Sequence, residues 1–307
     1  MDSLVVIHYE SVRAENWTLL EKAARERAIQ LITWEPHLVE VRYSDSDLSV
    51  YFDGDHAAPA ALMHRTISPF HGIMVPALTC LAVQGTLVPN HPEASFRARD
   101  KLLTDLTLRA AGIAVVPTVA FDEPSEPTLA TLGHAELIVK PAHGVRGEGI
   151  ETSSPGEASS IAARLRDARL ERVAATGYYV EREHYLAQVL VNGGGSDLRA
   201  YVVGSSCVAL MRRTAPPGEV RANIALGAKA APLSLSHPAA SIAKSALVAC
   251  GLDFGGVDMV EDTDGTIRVI EVDAWAGFAG ITQATGLDVA GAILDHIALL
   301  QGEGIEP

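Results

Sequence analysis

The stretch Leu137-Ile138-Val139-Lys140-Pro141-Ala142-His143-Gly144-Val145-Arg146-Gly147-Glu148-Gly149 ends an apolar run on a lysine and then places three glycines in one short loop. An ammonium at that point neutralises phosphate charge. Glycine lets backbone N–H groups reach phosphate oxygens with no Cβ in the way. The spacing is neither G-x-G-x-x-G nor the P-loop pattern, so dinucleotide-binding and P-loop chemistry do not follow from it. Taken alone, the same residues also describe a glycine-rich hairpin with a surface lysine. As phosphate contacts the candidates are Lys140, Gly144, Arg146, Gly147 and Gly149.

A second group lies far downstream. Asp258 follows Gly255-Gly256-Val257, and Glu271 and Asp273 are two apart in Val269-Ile270-Glu271-Val272-Asp273. On a strand, residues two apart leave the same face. Three carboxylates among apolar residues repel one another unless a cation sits between them. Mg²⁺ takes carboxylates together with substrate phosphate oxygens, which fits a nucleoside triphosphate. Hairpin-end charges facing water are the competing reading. A third group is Asp197 and Arg199, after Asn192-Gly193-Gly194-Gly195, with Arg213, Arg221 and Asn223 flanking the loop Thr214–Glu219. Arginine clamps phosphate or carboxylate, and Asn223 adds a ligand for metal or phosphate. Singly, each also reads as an ordinary surface or ion-pair residue.

These side chains need elements to hold them. Short apolar runs at Leu4–His8, Gln30–Trp34, Leu48–Phe52 and Ala60–His64, with a helix over Trp17–Arg27, predict a small parallel α/β unit. Ser95–Ala111 reads as a helix with Leu102, Leu103, Leu106 and Ala110 on its apolar side, stopped by Gly112. Leu137–Lys140 and Tyr185–Val191 read as strands around a helix at Glu157–Glu171. Strands follow at Arg199–Val203, Cys207–Arg213, Gly256–Glu261 and Thr266–Val272, the last two joined by the hairpin signal Asp262-Thr263-Asp264-Gly265. Helices at His237–Cys250 and Asp288–Leu300 complete an α+β second half, and Asp122–Thr128 reads as a surface linker.

In this order the motifs resemble the ATP-grasp carboxylate–amine ligases, RimK-like branch, from about Asn90 to the C-terminal helix. The resemblance implies an ATP-grasp fold, α/β and α+β, with ATP held between two lobes. It implies an N-terminal Rossmann-like (pre-ATP-grasp) domain at 1–92, a central subdomain with the phosphate loop at 93–184, and a C-terminal subdomain with the metal site at 185–307. It makes Lys101 and Lys140 phosphate lysines, and Gln188, Val189 and Val191 part of a hinge whose backbone reads adenine. Asp197 and Arg199 match the family's Asp-x-Arg, and Arg213, Arg221 and Asn223 its clamp, catalytic together with Lys140. Asp258, Glu271 and Asp273 fall at the metal-ligand positions for Mg²⁺, with Mn²⁺ as a substitute. Arg65 stands where relatives place a substrate-facing arginine, and Gly277 at the start of the closing segment. Trp275 and Phe278 either line a less polar pocket or simply pack. Asp273 replaces the family's usual Asn, Ala276 a common Pro, and Ala225 and Leu226 the His and Arg of close relatives.

The implied reaction activates a carboxylate as an acylphosphate and joins it to an amine, releasing ADP and phosphate. Ring closure within one small intermediate and a nucleotide-binding module without catalysis are the alternatives. The substrates implied are small-molecule or peptide carboxylates and amines, free or carrier-bound, and a homo-oligomer is compatible with them. The 38 acidic against 24 basic residues give a net charge of −14 with no Lys/Arg-rich run, which argues against nucleic acid. Three scattered cysteines without CxxC spacing suggest buried thiols in a reducing compartment. The start Met1-Asp2-Ser3-Leu4 lacks a basic segment and a long apolar stretch, and the longest apolar run is broken by Pro76, so no membrane role and a cytoplasmic enzyme are expected.

Overall fold

A computed structural model describes residues 1–307 apart from 8–13, 46, 65–71, 122–128, 134–135, 144–148, 155, 177–183, 192–194 and 304–307. In the N-terminal region β1 (Ser3–Ile7), α1 (Ala14–Glu26), β2 (Gln30–Trp34) and β6 (Leu62–His64) build a parallel sheet in the order β2-β1-β6. The segment between adds β3 (Val39–Tyr43), β4 (Leu48–Phe52) and β5 (Asp55–His56), a separate antiparallel sheet. Leu48–Phe52 is therefore not part of the parallel sheet that its apolar run suggests. It pairs instead with β3, to which the short connection 44–47 joins it, and a connection of that length permits only an antiparallel pair. Helix α2 (Met74–Val83) packs Met74, Ala77, Leu78 and Leu81 under both sheets.

The central sheet has the order β7-β10-β8-β9, from β7 (Thr118–Phe121), β8 (Leu137–Pro141), β9 (Glu151–Ser153) and β10 (Tyr185–Val189), with α5 (Ala158–Thr176) against it. Strand pairing thus puts Tyr185–Val189 between the two central strands, whereas the boundary at 185 assigns it to the C-terminal segment. The C-terminal sheet runs β13-β12-β11-β14-β15, from β11 (Ser196–Val203), β12 (Ser206–Thr214), β13 (Lys229–Pro232), β14 (Phe254–Glu261) and β15 (Ile267–Asp273). Helix α6 (Pro238–Ala249), with α3 (Pro92–Ala98) and α4 (Lys101–Ala110), covers one face of it. α1 and α8 (Val289–Glu303), with the short α7 (Ala279–Thr285), cover the other. No helix of the described residues is long and apolar enough to cross a membrane. Cys80, Cys207 and Cys250 are all free thiols; Cys80 and Cys250 are buried and Cys207 is half-buried.

The predicted apolar side of the helix within Ser95–Ala111 faces outward instead of inward: Leu103 and Leu106 are exposed, with Phe96 beside them on α3. The buried residues of α4 are Lys101, Thr104, Asp105 and Leu108. Periodicity finds a helix, but here the polar stripe points inward because it faces other charged groups. Asp100 starts this helix by accepting N–H bonds from Leu102 and Leu103 at 2.8 and 3.0 Å, breaking the expected single helix in two.

Asn90 ties the N-terminal region to the C-terminal sheet. It sits fully buried at φ 56°, a left-handed conformation that Asn tolerates better than most residues. Its side-chain amide donates to Phe254 O at 2.9 Å and Ala274 O at 3.1 Å, and its Oδ1 accepts from the amides of Asp253 and Phe254. Asn90→Ala strands those buried backbone groups, and the expected loss is about 3 kcal/mol. A shifted denaturant midpoint measures it, and a variant within about 1 kcal/mol of the parent would contradict that role.

Candidate functional site

β14 and β15 set the centre of the site. Asp258 lies directly opposite Glu271 and Gly256 opposite Asp273, with a register shift after Asp258. Directly opposed residues share a face, so the three carboxylates emerge together. Gly255 and Gly256 are required here by close approach. A Cβ on Gly256 would lie 2.4 Å from the Ala276 Cβ, and one on Gly255 2.7 Å from Asp273 O.

Asp258 is gripped by two arginines. Arg199 donates to Oδ1 at 2.6 Å and Oδ2 at 2.8 Å, and Arg213 approaches Oδ2 at 3.0 Å while donating both its bonds of 2.6 Å to Asp197. Burial alone would raise Asp258, but Arg199 and Arg213 outweigh it and hold the carboxyl at about 2. The same carboxylates raise both guanidinium pKa values. Burial raises Asp197 to about 6 despite Arg213. Asp273 is raised by burial first and by Glu271 next, and its Oδ1 accepts the Trp275 amide at 2.8 Å.

From the other side come the two lysines. Lys101 of α4 lies 3.5 Å from Glu271 Oε1. Lys140 of β8 is 4 % exposed, and burial, helped by repulsion from Lys101, lowers it to about 8 against the attraction of Glu271, Asp105 and Asp258. Asp105, which motif reading misses, is raised by burial to about 6 while Lys140 pulls it down. Its Oδ2 accepts from Gln188 Nε2 at 3.2 Å and from Thr118 Oγ1 at 3.4 Å. The signal that could have found it is its position four residues after Lys101, hence on the same helical face. Lysines from two elements, and acids from α4 and the C-terminal sheet, thus act on one another.

Other candidates are placed differently. Arg221 is in the loop after β12, held by Glu219 at 2.9 and 2.8 Å, and this pairing drives Glu219 down to about 2. Asn223 is half-buried before the turn Ile224–Leu226, its carbonyl accepting the Leu226 amide. In the hinge, Val189 and Val191 are half-buried, and the Val189 and Leu190 amides are given to Pro117 O and Glu136 O at 3.1 and 2.8 Å. Gly149 has φ 70°, and a Cβ there would lie 3.3 Å from the Pro141 ring. Trp275 and Phe278 are buried and line a small apolar pocket with Trp17, Leu20, Met63 and Tyr201, where Trp275 also stacks edge-on to His64 at 4.3 Å. Gly277 sits against Asn16, whose Oδ1 accepts the Phe278 and Ala279 amides. Arg65, Gly144, Arg146 and Gly147 lie outside the described residues, as does the expected linker at 122–128.

Whether this donor set suits a divalent cation can be judged from its chemistry. Among the described residues no three His, Cys, Asp or Glu side chains close a metal shell by themselves. Mg²⁺ does not require one, since it is held by one or two carboxylates with waters and substrate phosphates. Glu271 and Asp273 fit that need, as mutually repelling carboxylates beside Lys101 and Lys140. Asp258 has less to offer, because both its oxygens already bind arginine.

Residues 99–297 match the RimK-like ATP-grasp domain family. The chain is 32% identical over 286 residues to a probable alpha-L-glutamate ligase of Alkalilimnicola ehrlichii, covering 89% of this chain and 88% of that protein. It is 31% identical over 283 residues to a protein so named from Xanthomonas oryzae pv. oryzae, covering 91% of each. Among solved structures it resembles the ATP-grasp ligase PsnB complexed with a phosphomimetic variant of its minimal precursor, Mg and ADP. That likeness has a TM-score of 0.73 at 20% identity and covers 98% of this chain and 99% of the other.

Proposed function

The chain belongs to the RimK-like ATP-grasp family and is an ADP-forming carboxylate–amine ligase; from that premise we propose which side chains carry the reaction and that its amine is an amino acid. The observation that carries this is the contact of Lys101 on α4 with Glu271 on β15, with Lys140 of the central sheet near enough to act electrostatically on both.

A carboxylate is a poor electrophile, and its oxygen leaves badly. Its oxygen attacks the γ-phosphorus of ATP, the bond to the β-bridging oxygen breaks, and ADP departs. The amine nitrogen then attacks the carbonyl carbon of the acylphosphate, phosphate leaves, and the nitrogen loses a proton. Lys101 and Lys140 hold the phosphates and offset the charge that shifts toward ADP. Arg199 and Arg213, fixed by Asp258 and Asp197, present guanidinium edges that need no reorganisation as charge develops. Gln188, held by Asp105 and Thr118, closes the adenine end of the cleft. Glu271 and Asp273 would hold Mg²⁺, or Mn²⁺ in its place, and the ion, when bound, would supply Lewis-acid stabilisation of phosphate charge. By the family resemblance, Gly144, Arg146, Gly147 and Gly149 are assigned to phosphate binding, and Arg65, Arg221 and Asn223 to the substrates.

The relatives' names point to glutamate as the added amino acid. The test is ADP release with ATP and Mg²⁺ over pooled carboxylates and amines, followed by mass spectrometry of the product. The expected result is ADP formation that requires both substrates and a product whose mass is the sum of acid and amine less one water. ATP binding with no ADP formed on any pool would sink the catalytic reading, and ADP released with a single substrate would replace it by ring closure.

A further inference from the structure

One charged junction takes no part in the proposed reaction. The carboxylate of Asp100 lies 3.4 Å from His143 Nε2 through Oδ2 and 3.7 Å from His184 Nε2 through Oδ1. The two imidazoles meet edge to face with centroids 5.7 Å apart. Backbone bonds fasten the same three segments: the Lys101 amide donates to Ala142 O at 3.3 Å, and the Ala142 amide to His184 O at 3.0 Å. Asp100 also caps α4 through Leu102 and Leu103, so it fixes the turn that begins with Lys101. His143 is the last residue before the glycine stretch, and His184 immediately precedes β10.

We propose that Asp100 is a positioning residue that, through His143 and His184, sets the spacing of Lys101 from the Lys140 strand, and so governs how tightly nucleotide phosphates are held. This rests on the reading of Lys101 and Lys140 as phosphate lysines. Three observations support it. One carboxylate, that of Asp100, reaches both imidazoles. The buried Nε2 of His184 makes no hydrogen bond among the described residues, yet points toward that carboxylate. A contact of 3.7 Å needs little movement to become a hydrogen bond, so the junction can tighten as phosphates draw the lysines together. His143 is also pushed down by burial, with Asp100 opposing and His184, Arg99 and Lys101 adding to the push, so the neutral ring is favoured.

Asp100→Asn separates charge from capping, because Asn accepts the same two N–H bonds at a helix start. Binding of ADP with Mg²⁺, measured by calorimetry, is expected to weaken about tenfold in Asp100→Asn, with a melting temperature within about 3 °C of the parent. His143→Gln should weaken it less, and adding His143→Gln to Asp100→Asn should cost little more, the signature of groups acting as one unit. Asp100→Glu should recover part of the affinity. Parental affinity in Asp100→Asn, or losses that multiply independently in the double variant, would overturn the proposal. Lys140→Met separates the two ideas. If it too binds like the parent, the phosphate-lysine reading fails and this inference with it; if it loses binding while Asp100→Asn does not, this inference alone fails.

Discussion

Lys140→Met is expected to lower ATP-dependent turnover at least a hundredfold, about 3 kcal/mol of lost electrostatic stabilisation, while the protein melts within a few degrees of the parent. The two halves of that expectation have one cause. A buried ammonium is costly, and burial is what pulls Lys140 down from 10.5 to about 8. Because the folded state binds its proton less tightly than the unfolded chain, Lys140 works against folding at neutral pH. That penalty fades as pH rises from about 8 through 10.5, where the unfolded lysine also becomes neutral. Methionine fills the same space without a charge and removes the penalty, and Asp105, already raised to about 6, takes up a proton more readily to compensate. The same titration gives the parent a basic limb: kcat/KM for ATP should fall above about pH 8, and the residual rate of the variant should show no such limb. A variant within tenfold of the parent would remove Lys140 from the phosphate site.

Asp258→Asn is expected to cost about 3–5 kcal/mol, a fall of roughly 10 °C in melting temperature, because the buried Arg213 and half-buried Arg199 guanidiniums lose their shared counter-charge. Arg213 keeps Asp197 at 2.6 Å, but Arg199 has Asp258 as its bidentate partner. The pH dependence has a definite sign. Asp258 is lowered from 3.8 to about 2, so its contribution is complete above 3.8 and is lost as pH falls from there through about 2. The variant should therefore unfold less steeply with acid over that window. Thermal melts across it give the answer, and superimposable acid profiles with melting points within about 3 °C would contradict the clamp.

Much of this arrangement could be read from residues alone where the signal is local. The hairpin at Asp262–Gly265 and the shared face of Glu271 and Asp273 follow from turn chemistry and the two-residue period of a strand. The ordered motifs carry the family. Legibility stops where a position depends on distant partners. The polar face of α4 points inward because Lys140, Gln188 and Glu271 are there to meet Lys101 and Asp105, and none of those is near in sequence. Asp258 reads as one of three equivalent acids, yet its strand neighbour β11 supplies Arg199 and turns it into an arginine clamp. Asn90 reads as the start of a motif, while its work lies some 160 residues away, at Asp253 and Phe254. Leu48–Phe52 has the composition of a buried parallel strand, but the short connection 44–47 pairs it antiparallel with Val39–Tyr43.

The N-terminal region and the C-terminal sheet share one continuous interior, with Leu4, Val6 and Leu20 packed among Tyr201, Phe254 and Ile293. The central sheet keeps its own smaller interior, Leu137, Val139, Ile161, Tyr185 and Ala187, separate from the others. A layer with a private interior can come apart as a unit at a free energy well below that of the whole chain. Without nucleotide, its strand amides are expected to exchange faster than those of the shared interior, a difference that hydrogen exchange measures. If Lys101 and Lys140 hold a triphosphate as proposed, its binding would touch both layers, lift the weaker one by RT ln(1 + [L]/Kd) and even out the cooperativity of the molecule. Here the substrate is also the mortar.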